Sequence, residues 1–312
     1  MGVNSVGSGG KAQATPQPKF DLATYAMKDL DNNGRVSTGD LPAKEAMASP
    51  ETLGKALAQR PEKYILLGDT HDAQDPKTQI ALFKELKAQG TPFIYAVELP
   101  QDFKGMFQSF NSGKTSEKEF IQDFDFMMSM HSDFKGEGTK EAILEARRQG
   151  GNIGIVDASS RESAAGGDRD VAMARKILSY NSQLTKGSDG KLRSALPANG
   201  KLIAALGTVH VQENITPGYR KVQTSEANQK ETYAPLNPNP AAKLLADQVG
   251  KDQVLSVVLY PANISHVMDS EAKGTGALQY GAHDYVIPRQ VNAEWKAQVS
   301  NAVRGLFSPL TK

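Results

Sequence analysis

Residues 64–72 read Tyr-Ile-Leu-Leu-Gly-Asp-Thr-His-Asp, an apolar run that ends abruptly in polar, ionisable side chains. A strand that is apolar on both faces belongs inside a sheet covered on both sides. Its exit into Asp69, His71 and Asp72 is either a polar turn or one part of a site at the carboxyl edge of that sheet. The choice depends on whether other strands end in the same way.

They do. Apolar runs at 93–99 (FIYAVEL), 153–158 (IGIVDA), 202–207 (LIAALG), 254–260 (VLSVVLY) and 284–287 (DYVI) alternate with segments of helical spacing such as QIALFKELKAQG, EAILEARRQGG, RDVAMARKILSY and AAKLLADQVG. In the first of these, Ile80, Phe83 and Leu86 share one face and Gly90 supplies the stop. The alternation predicts an α/β fold with a mostly parallel sheet flanked by helices. Residues 183–200 and 212–239, rich in Gly, Ser, Asn, Gln and Pro, interrupt it and are expected as long loops.

The second strand delivers Glu98, the third Asp157 followed by Arg161, and the fourth Thr208 and His210. Gly68-Asp69-Thr70-His71 and Gly207-Thr208-Val209-His210 share the pattern GxxH, in which a glycine at the strand exit would let the chain turn sharply. Two imidazoles with carboxylates at one edge suit a divalent metal held by His71 and His210, or an acid/base pair. The bland alternatives are a histidine satisfied by a backbone carbonyl, and Glu98 simply paired with Arg161 or Arg169.

Outside this region the chain divides into a leader over 1–19, expected to be disordered, a small helical unit over 20–58, and the α/β domain over 61–312. FDLATYAMKDL reads as a helix entering a twelve-residue EF-hand-like loop that runs from Asp29 to Asp40. Asp29, Asp31 and Asn33 fall at loop positions 1, 3 and 5, Arg35 would offer its carbonyl, and Asp40 closes the loop. Calcium is the expected ion, in a structural or sensing role. An Asx-rich turn between two helices is the alternative.

With 312 residues and a net charge of +1, no global basic field argues for nucleic acid. No apolar run approaches the roughly 18 residues that span a bilayer. The first residues lack the basic start and apolar core of a secretory signal, so the expected protein is soluble, cytoplasmic or exported without a cleaved signal peptide. The chain has no cysteine, which excludes disulfides, thiolate nucleophiles and sulfur-ligated zinc.

The segments LLGDTHD, AVELP, GGDRDVAMA and ALGTVH resemble, in order and spacing, the superfamily uniting ChaN-like haem-binding lipoproteins, TraB/Tiki-type proteins and erythromycin esterase-like hydrolases. A related domain occurs in the Pasteurella mitogenic toxin group. The resemblance spans about residues 61–290. Gly68, Asp69, His71 and Asp72 match a G-E-x-H-D element except that Asp69 replaces Glu, and Arg169, Asp170, Met173 and Ala174 match R-D-x-x-M-A. It implies the Tiki/ChaN fold, and taken together with the residues, the leader and the long loops it leaves three readings. The first is a hydrolase of a small ester or peptide, metal-dependent or not, in which Asp69, His71, Glu98, Arg169 and His210 act on water and substrate while Asp72, Asp157 and Arg161 bind it. The second is a non-enzymatic secreted bacterial effector that binds a host protein. The third is a haem carrier, for which Tyr219, Tyr233 and Tyr260 are candidate axial ligands.

Overall fold

The computed structural model describes residues 20–30, 32, 36–43, 46–69, 76–130, 137–157, 168–186, 192–214, 219–222, 232–235, 239–262 and 280–289, with backbone alone for Thr38, Asp69, Glu137, Pro261 and most of the two small hairpins. In chain order the elements are α1 (Pro50–Ala58), β1 (Tyr64–Asp69), α2 (Lys77–Ala88), β2 (Phe93–Val97), α3 (Lys104–Asn111), α4 (Glu117–Met130), α5 (Glu137–Arg148) and β3 (Asn152–Ile155). There follow α6 (Arg169–Ser179), the hairpin β4 (Leu184–Lys186) and β5 (Leu192–Ser194), β6 (Lys201–Gly207), the hairpin β7 (Tyr219–Val222) and β8 (Thr232–Pro235), α7 (Ala241–Val249), β9 (Val254–Pro261) and β10 (Tyr285–Arg289).

All six apolar runs join one sheet in the order β10-β9-β1-β6-β2-β3, and every pairing is parallel. The fold is α/β. From β1 the chain steps through β2 to β3 on one side, and from β6 it steps through β9 to β10 on the other. Right-handed crossovers in opposite directions place their helices on opposite faces. Accordingly Ile65 and Leu67 pack with α2, α3, α4 and α5, while Tyr64 and Leu66 pack with α6 and α7. Neighbouring strands β1 and β6 therefore send the chain to opposite faces. Between them lies the topological switch, where a crevice forms at the carboxyl ends.

Both sheet edges are covered. On β3, Asn111 Oδ1 accepts from Ile153 N–H at 2.9 Å and its Nδ2 donates to Ile153 O at 2.7 Å. Tyr180 Oη accepts from Ile155 N–H at 2.8 Å and donates to Ile155 O at 3.1 Å. These side chains supply the bonds a further strand would make, which keeps an open edge from recruiting another chain. On β10, Val286 O accepts from Met27 N–H at 2.8 Å.

The helix expected over FDLATYAMKDL is instead one 3-10 turn, Leu22–Thr24, capped by Asp21. Its apolar residues are drawn to two different places: Leu22 enters the core beneath α1, and Met27 reaches the opposite face. A continuous helix could not serve both. Helix α1 starts at the Ser49 cap with Pro50 in its first turn, and it crosses α2 closely. A Cβ at Gly54 would lie 2.6 Å from Ala81. The segments expected as long loops carry the two small antiparallel hairpins. Among the described residues no helix is long and apolar enough to cross a membrane.

Candidate functional site

The carboxyl edge at the switch collects the ends of β1, β6, β2 and β3 side by side. Glu98 leaves β2 with its backbone still tied to β6, its N–H donating to Ala205 O at 3.2 Å. Its side chain is only 2% exposed. A carboxylate that deeply buried needs donors, and two arrive from distant parts of the chain. Gly207 N–H donates to Glu98 Oε2 at 2.6 Å, and Arg169 Nη2 donates to Oε1 at 2.6 Å.

Arg169 and Asp170 open helix α6, which Asp168 caps by accepting from the Asp170 and Val171 amides. Successive residues of a helix point about 100° apart, so the two side chains part company. Arg169 grips Asp157 through Nε at 2.7 Å and Nη2 at 2.9 Å, and so bridges the ends of β2 and β3. Asp157 is itself held from behind, its carbonyl accepting from Gln101 Nε2 at 2.7 Å and from Lys176 Nζ. Nη1 of Arg169 carries no hydrogen bond among the described residues, and the side chain is 42% exposed.

Asp170 turns the other way. Its Oδ1 meets His210 Nδ1 at 2.9 Å and accepts from the Ala241 amide, at the start of α7, at 2.7 Å. That bond assigns the proton to Nδ1 and leaves Nε2 as the free lone pair. Nε2 lies 3.6 Å from Glu98 Oε1. Burial opposes charging of the imidazole, but the bond to Asp170 and the nearby Glu98 charge outweigh it, and the His210 pKa is raised above the ordinary histidine value of 6.5.

The GxxH glycines do different work from that expected. Neither Gly68 nor Gly207 has a positive φ. A Cβ on Gly68 would lie 2.5 Å from Val211 Cγ2, so glycine there lets the Thr208–Val211 turn, and His210 with it, settle onto β1. Gly207 has a φ of −60° and contributes its amide to Glu98.

The structure brings together Glu98, Asp157, Arg169 and His210 of the expected site, and adds Asp170, which the sequence reading left without a role. Its adjacency to Arg169 at a helix start was the available signal. Asp69 has its backbone at the same edge, paired with Gly207. His71, Asp72 and Arg161 lie outside the described residues. Arg169 Nε and Nη2 are committed to Glu98 and Asp157, so the arginine pairing considered for Glu98 is present, and only Nη1 is left for another acceptor among the described residues. Among the described residues no three His, Asp or Glu side chains converge as metal ligands. Glu98 and Asp157 are paired with Arg169, and His71, the other ligand expected beside His210, lies outside the described residues.

Of the expected calcium loop, Asp29 and Asp40 are described, whereas Asp31, Asn33 and Arg35 lie outside. Asp40 is buried and works as a turn cap. Its Oδ1 accepts from Leu30 N–H at 2.9 Å, and Oδ2 accepts from Ser37 N–H and Ser37 Oγ, each at 2.9 Å. Among the described residues the segment before the loop is a 3-10 turn, and both Asp40 oxygens accept from groups of the turn, an Asx-type arrangement. Tyr260 is fully buried in the core and presents no face to a haem, while the side chains of Tyr219 and Tyr233 are outside the described set.

Beside Glu98 lies a cavity of about 30 Å3 between the first turns of α2 and α5. Its walls include Pro76, Gln79, Val97, Glu98, Thr139 and Ala142.

No family model matches this sequence, and no curated protein does. Among solved structures, the chain is similar to that titled "The structure of the type III effector HopBA1", with 16% identity over 84% of this chain and 100% of that one, at a TM-score of 0.45. It is also similar to the structure titled "Cofacial heme binding to ChaN of Campylobacter jejuni", with 16% identity over 77% of this chain and 91% of that one, at a TM-score of 0.39. Both likenesses are distant.

Proposed function

We propose that this chain is a hydrolase of an acyl compound, an ester or a peptide, with His210 as its general base. The observation that carries the reading is the orientation of His210. Asp170, itself held by the Ala241 amide, locks one ring nitrogen, and the other is presented toward Glu98 at the crevice between β1 and β6. A histidine needed only to fill the core would not require a buried carboxylate to fix its tautomer.

In this reading His210 Nε2 takes a proton from water as the water oxygen bonds to the acyl carbon. The bond to the leaving group then breaks, and the proton passes from His210 to that group. Nη1 of Arg169 steadies the negative charge that develops on the acyl oxygen. Glu98 holds Arg169 in place and stabilises the imidazolium between the two proton transfers. General acid–base action of this kind contributes on the order of 10²–10⁴ in rate.

The test is a screen of chromogenic esters and short peptides with purified wild-type protein and the His210→Ala variant. Turnover in the wild type, lost in a variant that melts at the same temperature, supports the reading. Turnover that survives His210→Ala overturns it.

A further inference from the structure

Ser256 interrupts the apolar run of β9, yet it is fully buried. Its strand neighbours Val254 and Val258 pack on the face covered by α6 and α7, so alternation along the strand puts the Ser256 side chain there too. A buried hydroxyl needs a partner. Ser256 finds it 45 residues away, where its Oγ donates to Val211 O, the carbonyl that follows His210 in the turn after β6. The same carbonyl accepts from His283 Nδ1 at 3.1 Å, and Nδ1 also lies 3.0 Å from Ser256 Oγ. A carbonyl only accepts, so Nδ1 of His283 carries the ring proton.

The turn reaches these donors by crossing β1. Strand β1 lies between β9 and β6, and Gly68, opposite Val258 on one side and Leu206 on the other, has no side chain to hold the Thr208–Val211 turn off the sheet. The donors are themselves fixed. Asp284 Oδ2 accepts from Ser256 N–H at 2.9 Å, and Asp284 N–H donates to Ser256 O at 3.1 Å. Just past the turn, Glu213 N–H donates to Ala282 O at 2.9 Å, so the chain leaving His210 is laced to the chain that carries His283.

From this arrangement we infer that Ser256 and His283 are positioning residues for His210, acting through the Val211 carbonyl. Asp170 sets which ring nitrogen carries the proton. Ser256 and His283 set where the backbone beneath that ring stands. A catalytic group must be held to about 0.5 Å, and a misplacement of about 1 Å costs up to roughly 10²-fold in rate. The kinetic consequence rests on the hydrolase reading, whereas the geometric one does not.

The experiment compares full-length wild type, Ser256→Ala and His283→Phe in turnover and in hydrogen exchange of the His210 Nδ1 proton. That proton is followed by NMR and assigned by its absence from His210→Ala. In both variants kcat should fall by about 10–10²-fold at unchanged KM. The Nδ1 proton should exchange about fivefold faster, the worth of one hydrogen bond, while the backbone amides of β1 keep their rates. Ser256→Ala removes one oxygen and no charge, and it decides the matter if His283→Phe does not fold. A wild-type kcat in Ser256→Ala, or an Nδ1 exchange rate it leaves unmoved, overturns the inference. So does faster exchange shared equally by the β1 amides, which marks a general loosening of the fold. Faster Nδ1 exchange in Ser256→Ala, where the wild type hydrolyses neither esters nor peptides, keeps the positioning role and overturns the hydrolase reading alone.

Discussion

Asp170 and His210 are joined by a 2.9 Å contact at Nδ1, and the same Asp170 oxygen accepts from the first amide of α7. One carboxylate thus ties the start of α6 to the turn after β6 and to the start of α7. The pair has an electrostatic signature. The His210 pKa is raised above 6.5 because the Asp170 bond and Glu98 outweigh burial. A group with a raised folded pKa contributes stability that is fully present below its unfolded value and is lost as pH rises through the folded value. Stability should therefore decline from about pH 6.5 upward, while general-base activity, which needs the neutral ring, should rise over the same interval. An imidazole proton titration by NMR, run alongside a pH–rate profile, checks both. Asp170→Asn should lower the His210 pKa and cut turnover by about 10²-fold.

Glu98→Gln tests the acid between the arginine and the imidazole. The carboxylate meets two donors, Arg169 Nη2 and Gly207 N–H, one on each oxygen. A carboxamide has one acceptor oxygen, so one donor must face an NH2 group. The variant should lose about 1–3 kcal/mol of stability and lower the His210 pKa. Chemical denaturation and the same NMR titration read the two effects. An unmoved histidine pKa would show that Glu98 does not act on the ring.

Gly68→Ala should be far more damaging than an exposed glycine replacement. The new methyl would meet Val211 2.5 Å away, in the turn that carries His210. Overpacking of this kind costs roughly 1–3 kcal/mol. Activity should fall with stability, because relief of the clash moves the turn. A stable, fully active Gly68→Ala protein would refute the close-packing account.

Tyr180→Phe separates fold from site. The hydroxyl serves the N–H and C=O of Ile155 on the sheet edge, and burial pushes its pKa up to about 12. Its removal leaves both backbone groups without that partner and should cost about 1–3 kcal/mol. Urea unfolding should show the loss, with the turnover number unchanged at temperatures where the variant is folded.

Asp40→Asn decides what the Asp29–Asp40 segment does. As a turn cap, Asp40 loses acceptor strength toward Leu30 and Ser37 on substitution, lowering stability by about 1 kcal/mol. The drop should be the same in millimolar calcium and in chelator. A destabilisation seen only in calcium would restore the ion-binding reading of that loop.

The alternation of apolar runs and helical spacing was enough to read the α/β class and to put Asp69, Glu98, Asp157 and His210 at strand exits. Burial patterns are local, and in a parallel sheet every strand ends on the same side. One expectation went astray where distant contacts overrode local pattern. The helix over FDLATYAMKDL gave way because Leu22 and Met27 are buried on different faces. Asp40, placed at the end of the loop by its spacing, accepts from the Leu30 and Ser37 amides, which the spacing did not foretell. Periodicity carries no information about partner choice. That β6 inserts between β1 and β2, that Arg169 reaches Glu98 71 residues away, and that Asp170 fixes His210 across 40 residues all depend on strand order and on charges meeting through space. A buried charge takes whichever complementary group folding brings within hydrogen-bond reach, and that group is not marked in the residues on either side of it.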